Sequence, residues 1–220
     1  MKLPTHTCQI PNLNQIYQFY FPGKYEGFFV EVGAFDGETY SNTSHLADSG
    51  WRGLYIEPIQ DHYLKCAHRH KDNEVKVLNC SVGSEEKEIS LYVGGAAGEL
   101  TTANLQQLEI YSNTWWSSNY NFIEEKCNQL RLDTILSEEN VKDIDILVVD
   151  VEGNEKDIFD SFDLNIWKPK MMIIELVDEN LDYVGYTERV NECIGLRNRF
   201  EDYGYYEIYK DGINTIFYKN

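Results

Sequence analysis

Apolar residues fall along the chain in short blocks separated by polar, helix-compatible stretches. Residues 28–32 (FFVEV) are aromatic and β-branched and close on Gly33, the pattern of a buried strand. Residues 42–48 have helical character and stop at Ser49-Gly50, and residues 53–56 (GLYI) form a second strand pattern ended by Glu57-Pro58. A helix pattern over 60–70 leads to a third strand over 75–78 (VKVL). Residues 89–93 (ISLYV) alternate apolar and polar, which predicts a half-exposed antiparallel strand. The least regular stretch, 94–128, opens on GGAAG and carries Trp115-Trp116. Beyond it come a nearly continuous apolar strand (144–149, IDILVV), a short helix (156–162) and another buried strand (171–176, MMIIEL). A long helix over 187–203 precedes two last strands, near 205–209 and 213–218, joined by the hairpin signal Lys210-Asp211-Gly212.

Strand and helix alternating in this way predict an α/β fold with a mainly parallel sheet covered on both faces. The last hairpin adds an antiparallel C-terminal edge. A helix-like segment over 12–21, ended by Pro22-Gly23, reads as a cap, which makes residues 1–24 a helical cap on one domain spanning 25–220.

With 42% hydrophobic residues in 220, the chain can bury a sizeable single core. Charge changes the picture more. Nineteen Lys+Arg against 37 Asp+Glu give a formal −18, a surface that repels nucleic acid and anionic lipid. No apolar run approaches the ~20 residues of a membrane-spanning helix, and the opening MKLPTHTCQIPNLNQ lacks the apolar block of a secretory signal. Five scattered cysteines without a C-x-x-C pair fit a reducing compartment and argue against a disulfide framework or structural zinc. The expectation is a cytoplasmic protein with no nucleic-acid or membrane partner.

In an open parallel sheet, ligands gather outside the carboxyl ends of the strands where the strand order reverses. Gly33 and Gly37 follow the first strand and allow a tight turn with close backbone approach to a ligand. Glu57 stands at the end of the second strand, 24 residues after Gly33, near the ~20 at which a carboxylate reaches a ribose diol. Together they predict a nucleoside ligand. The turn reads G-A-F-D-G, so the G-x-G-x-x-G of a dinucleotide fold is missing, and Asp36 occupies the place of a phosphate while Glu31 adds a second carboxylate. Like charges that close disfavour a pyrophosphate. S-adenosylmethionine has no phosphate and carries a sulfonium and an ammonium, which Glu31 and Asp36 suit. An NAD(P)-dependent oxidoreductase or epimerase, and a binding module that keeps only the fold, are the alternatives.

The segments FFVEVGAFDGETYSNT, GWRGLYIEPIQDHY, NCSVGS, DILVVDVEGNEKDIF and MMIIEL resemble, in order and approximate spacing, the FkbM-family methyltransferases. The resemblance runs over about 25–218 and implies a Rossmann-like class I methyltransferase fold that uses S-adenosylmethionine. It further implies that Glu31, Gly33, Asp36, Gly37, Ser41, Asn42 and Thr43 line the methionine end of the donor. Glu57 would bind the ribose, Pro58 and Ile59 would lie beside the adenine, Cys80, Ser81 and Val82 would close over the base, and Asp150 would also touch the donor. Because the family often modifies glycans and natural products, the implied acceptor is a hydroxyl of a small polar molecule, a sugar or glycan first.

Such a transfer must align acceptor oxygen, methyl carbon and sulfur, and must deal with the acceptor proton. Asp150 and Glu152 lie just past the ILVV strand and, two apart on extended chain, would face one pocket. Glu175 ends the following strand. These three carboxylates read equally as a general base or as oxygen ligands for Mg²⁺ or Mn²⁺. The blander reading makes Glu152 a helix cap and Glu175 a solvated strand end. Cys66, His68 and His70 read as a solvated helix face, as do His45 and His62, and one of Trp115 and Trp116 is expected in the core. The aromatics of the irregular stretch, with Tyr111 and Tyr120, are candidates to stack on a sugar or cover the site.

Overall fold

The computed structural model describes residues 8–24 and 26–220. Residues 1–7, the first part of the expected cap, and Tyr25 at its boundary lie outside the described residues.

In chain order the helices are α1 (Leu13–Tyr20), α2 (Ser44–Ala47), α3 (Gln60–Arg69), α4 (Leu105–Asn113), α5 (Leu132–Glu138), α6 (Glu155–Asp160) and α7 (Thr187–Asp202). The strands are β1 (Phe28–Val32), β2 (Arg52–Ile56), β3 (Val75–Leu78), β4 (Ser81–Val82), β5 (Lys87–Gly94), β6 (Leu100–Thr102), β7 (Ile123–Leu130), β8 (Ile146–Val149), β9 (Met171–Glu175), β10 (Tyr206–Lys210) and β11 (Asn214–Tyr218). Seven of them make one sheet in the order β10-β11-β9-β8-β1-β2-β3. From β9 to β3 the pairing is parallel, and the β10–β11 hairpin lies antiparallel along β9, as its turn signal predicts.

Strands buried on both faces carry apolar side chains at both parities, which is why FFVEV and ILVV read as unbroken runs. Val30, Val32, Leu54, Leu147 and Val149 pack on one face under α5, α6 and α7, whereas Phe29, Tyr55, Ile146 and Val148 pack on the other with Leu13 and Tyr17 of α1. Helix α7 buries Arg189, Cys193, Leu196 and Phe200, a stripe at spacings of four, three and four. The same arithmetic corrects the expected solvated face of α3. His62, Cys66 and His70 are four apart and point inward together, and only His68 of that group is exposed.

The stretch expected to be irregular is instead organised. β4, β7, β5 and β6 form a second sheet, with β5 and β7 antiparallel over seven paired positions. α4 follows β6 and is capped by Asn104, whose side chain accepts from the Gln106 and Gln107 N–H groups. These elements escape the apolar pattern because the strands are largely exposed: β7 reads IEEKCNQL and buries only Gln129 fully.

Under the first-sheet strand ends lies a buried ion pair. Arg189 donates to Glu155 at 2.5 Å, and both side chains are shielded from water. Glu155 also accepts from the Val151 and Gly153 N–H groups, so the pair stiffens the turn after β8. Removing one partner leaves an uncompensated buried charge. The Arg189→Met variant is expected to lose about 3–5 kcal/mol of stability in urea denaturation, and an unchanged midpoint would mean that the pair contributes nothing.

Candidate active site

The strand order reverses between β1 and β8, and a cavity of about 360 Å³ opens at the carboxyl ends of β1, β2 and β8. Gly33, at the end of β1, sits at φ 86°, and an added Cβ would collide with the Asp150 carbonyl oxygen. Only glycine fits both the left-handed backbone and the close approach. Around this point the wall is formed by Glu31, Gly33, Ser41, Glu57, Pro58, Cys80, Ser81, Val82, Asp150 and Glu152, all sites expected from the sequence.

Glu31 is the single acid in the FFVEV strand, and the strand's alternation turns it to the side of Tyr55 and the Ser41–Thr43 segment. The Ser41 hydroxyl donates to it at 3.0 Å and the Asn42 N–H at 3.2 Å, and the Thr43 hydroxyl adds a third, short bond. Burial nevertheless dominates and pushes its carboxyl up to about 7. Glu57 accepts from the Phe35 N–H at 2.9 Å and the Ile59 N–H at 2.8 Å, which fixes the carboxylate at the end of β2.

Asp150 and Glu152 line the opposite wall, and Glu175 does not line the cavity but lies behind them, with one carboxylate oxygen of each of the three within 4.8 Å of the others. The two neighbours in sequence do not meet as an extended chain would bring them. Glu152 adopts φ 54°, a left-handed turn continued by Gly153 at φ 101°. The Thr102 hydroxyl donates to the Glu152 carbonyl at 2.6 Å and the Asn104 amide to the Gly153 carbonyl at 2.7 Å, so the second sheet and α4 hold that conformation. The Glu152 carboxylate receives a short hydrogen bond from the Tyr111 hydroxyl and does not cap α6, whose N-cap residue Asn154 makes no side-chain cap bond either. Burial, then the Glu155 charge, raises Asp150 to about 6 and Glu152 to about 8. Glu175 is 8% exposed, not a solvated strand end; burial and then the Glu152 and Asp150 charges raise it well above the carboxylate range.

Other expected site residues stand one layer back. Asp36 turns onto its own loop, accepting from the Glu38 N–H at 2.9 Å and the Thr39 N–H at 2.7 Å, and its side chain does not line the cavity. Gly37 packs against Cys66 and His70, and the His70 ring bonds its carbonyl at 2.8 Å. Asn42, Thr43 and Ile59 serve by holding Glu31 and Glu57 and do not line the cavity. The histidines depart from the surface expectation. His45 is buried against Tyr17, and His62 lines the cavity and bonds the Ala97 carbonyl at 2.9 Å. Neither tryptophan enters the core: Trp115 is 81% and Trp116 37% exposed, because the turn after α4 projects both outward. Trp116 and Tyr120 instead line the cavity mouth, and the Trp116 indole donates to Asp182 at 3.1 Å. Gln9, which reaches Asp150 at 3.4 Å, and Glu99, from the β5–β6 loop, have no motif around them to mark them in the sequence.

The sequence model of the FkbM methyltransferase domain matches residues 31–206, which contain every strand end of this site. The chain belongs to the FkbM methyltransferase family. It is an S-adenosylmethionine-dependent methyltransferase, with the Rossmann-like class I fold. No curated protein sequence matches it. Among solved structures it is similar to the O-methyltransferase of Bacillus cereus in complex with S-adenosylhomocysteine, at 15% identity and TM-score 0.52 over 98% of this chain and 84% of that one. A Klebsiella pneumoniae protein assigned as an O-methyltransferase gives 13% identity and TM-score 0.53 over 99% and 84%. At such identities the likeness concerns the fold.

The raised carboxyls set a pH dependence. Their stabilising share is fully present below the ordinary carboxylate pKa and is lost as pH rises through the shifted values, about 6, 7 and 8 for Asp150, Glu31 and Glu152. The ligand-free protein should therefore lose stability between about pH 5 and pH 8, and Glu31→Gln should remove on the order of 3 kcal/mol of that loss. Chemical denaturation across this range checks it; a flat profile in the unsubstituted protein would contradict the buried-acid account.

Proposed function

We propose that the enzyme transfers the methyl group of S-adenosylmethionine to a hydroxyl of a small polar acceptor, a sugar or glycan first. The observation that carries this reading is one cavity lined by an anchored carboxylate at the end of β2 and by the Asp150 and Glu152 carboxylates after β8, with Glu175 of β9 close behind them. In this reading Glu57 accepts from the ribose hydroxyls, with Pro58, Cys80, Ser81 and Val82 around the adenine. Glu31, Gly33 and Ser41 surround the methionine end, and Asp36, Gly37, Asn42, Thr43 and Ile59 keep those groups in place. Acceptor oxygen attacks the methyl carbon in line with the departing sulfur, while Asp150, raised to about 6, takes up the hydroxyl proton. Glu152 and Glu175 share that charge.

The same trio supports a second reading, since three carboxylate oxygens within 4.8 Å form an oxygen-only set that Mg²⁺ or Mn²⁺ accepts. A bound ion would acidify the acceptor hydroxyl. The five free cysteines fit a cytoplasmic setting, and the −18 charge makes nucleic acid a poor acceptor. No helix among the described residues is long and apolar enough to cross a membrane.

Calorimetric titration should give micromolar binding of S-adenosylhomocysteine and none of NAD⁺; the reverse result would sink the donor reading. Glu57→Ala should weaken S-adenosylhomocysteine by about 1–3 kcal/mol, the worth of charge-assisted hydrogen bonds. Asp150→Asn should abolish methyl transfer while S-adenosylhomocysteine still binds. Undiminished turnover in that variant would remove Asp150 from the proton path. Dependence of the heat on added Mn²⁺ would decide for the ion-binding use of the trio.

A further inference from the structure

His62, in the first turn of α3, is 5% exposed and lines the cavity beside Glu57. Its ring has a neighbour at each nitrogen. Nε2 lies 2.9 Å from the Ala97 carbonyl oxygen, and Nδ1 faces the Glu57 carboxylate at 3.8 Å. A carbonyl oxygen only accepts, so one proton stays on Nε2 and is donated to Ala97. Nδ1 then decides the contact with Glu57. A bare lone pair there repels the carboxylate, whereas a second proton turns the contact into an ion pair. Burial by itself lowers the His62 pKa, but Glu57 and the Ala97 carbonyl outweigh it and leave the ring more basic than an ordinary histidine, against the opposing charge of Lys65 on the same helix. From the turn after β1 the ring meets Phe35 edge-on at 4.4 Å.

The loop that carries Ala97 is built around this ring. Residues 95–99 (GAAGE) connect β5 to β6. Gly98 sits at φ 86°, and a Cβ added there would stand 2.7 Å from His62 Cε1, so backbone and contact both demand glycine. The charge of the loop, Glu99, is engaged by the Ala96 and Ala97 N–H groups at 3.1 and 2.7 Å. Gly98, Glu99, Leu100 and Thr101 line the same cavity as Glu57, which the Phe35 and Ile59 N–H groups fix at the end of β2. His62 therefore joins the rim of the first sheet to the rim of the second.

We propose that His62 is a positioning residue for the donor, its imidazolium tying the Glu57 carboxylate to the Ala97 carbonyl and so holding the β5–β6 loop against the nucleoside. This role rests on the methyl-transfer reading, in which Glu57 accepts from the ribose, and deepens it. Doubly protonated, the ring spans both acceptors. With one proton it keeps Ala97 and repels Glu57, and the loop loses its hold on the ribose end. Affinity for the nucleoside is highest below the His62 pKa and falls as pH rises through it.

The probe is 5′-methylthioadenosine, which has the adenosine of the donor and lacks the amino-acid end that Glu31 and the carboxylates after β8 would meet. Calorimetric titration of the unsubstituted protein and of His62→Gln gives their affinity ratio at each pH from about 6 to about 9. Gln keeps a donor for Ala97 and cannot take up the charge. The unsubstituted protein should bind about tenfold more tightly at the acid end, and the two should converge at the alkaline end. A ratio that stays constant marks a merely structural role and overturns the proposal, as does equal affinity throughout. Should His62→Gln not fold, Glu57→Gln takes its place: with the charge that draws the second proton gone, the ratio should again fall with pH, and a constant ratio again overturns the proposal. If the nucleoside alone binds too weakly, S-adenosylhomocysteine is read in its place, since pH dependence common to both proteins cancels in the ratio. Failure of both ligands to bind the unsubstituted protein would instead strike the donor reading beneath it.

Discussion

The contact between Gly33 and the Asp150 carbonyl is the constraint on which the site depends. It lets the ends of β1 and β8 converge closely enough that Glu31 and Asp150 share one cavity, with Glu57 brought in from β2. A side chain at residue 33 would wedge the two strand ends apart and dissolve the geometry of the reversal point. The parallel register of β1 with β2 and β8 then fixes which residues stand at the rim.

Around that contact the molecule holds an arrangement of acids that is unfavourable in isolation. Burial and mutual repulsion raise Glu31, Asp150, Glu152 and Glu175, and the fold tolerates this because the surrounding frame is rigid. Backbone N–H groups and hydroxyls hold Glu31 and Glu57, and the Arg189–Glu155 pair braces the turn from below. From the side, Thr102 and Asn104 lock Glu152 in a left-handed conformation. Strain and concentrated like charge at one place, with stiff support elsewhere, is the pattern of a preorganised site.

The second sheet supplies part of the cavity wall. It carries Glu99 and the Gly98–Thr101 segment to the cavity and, through α4, positions Tyr111, while Trp116 and Tyr120 follow at the mouth. The cavity wall thus comes from different layers. First-sheet strand ends build one part of it, and strands and loops of the second sheet build the other.

Residues whose positions follow from local spacing were legible in the sequence. The doubly buried strands, the glycine turn, Glu57 at a strand end and the acids after ILVV all follow from period, backbone chemistry and position along the chain. What the sequence by itself determined was therefore the α/β order of the first sheet, the nucleoside-type turn and the identity of the carboxylates. Tertiary structure alone decided which groups face the cavity. Asp36 spends its lone pairs on its own loop, His62 and Cys66 turn inward with the buried stripe of α3, and both tryptophans stay outside the core. Glu152 meets Asp150 through a left-handed turn held from a distant sheet, and Gln9 arrives from 141 positions away. Spacing along a chain encodes contacts within one element, whereas contacts between elements arise only once packing has fixed their relative placement.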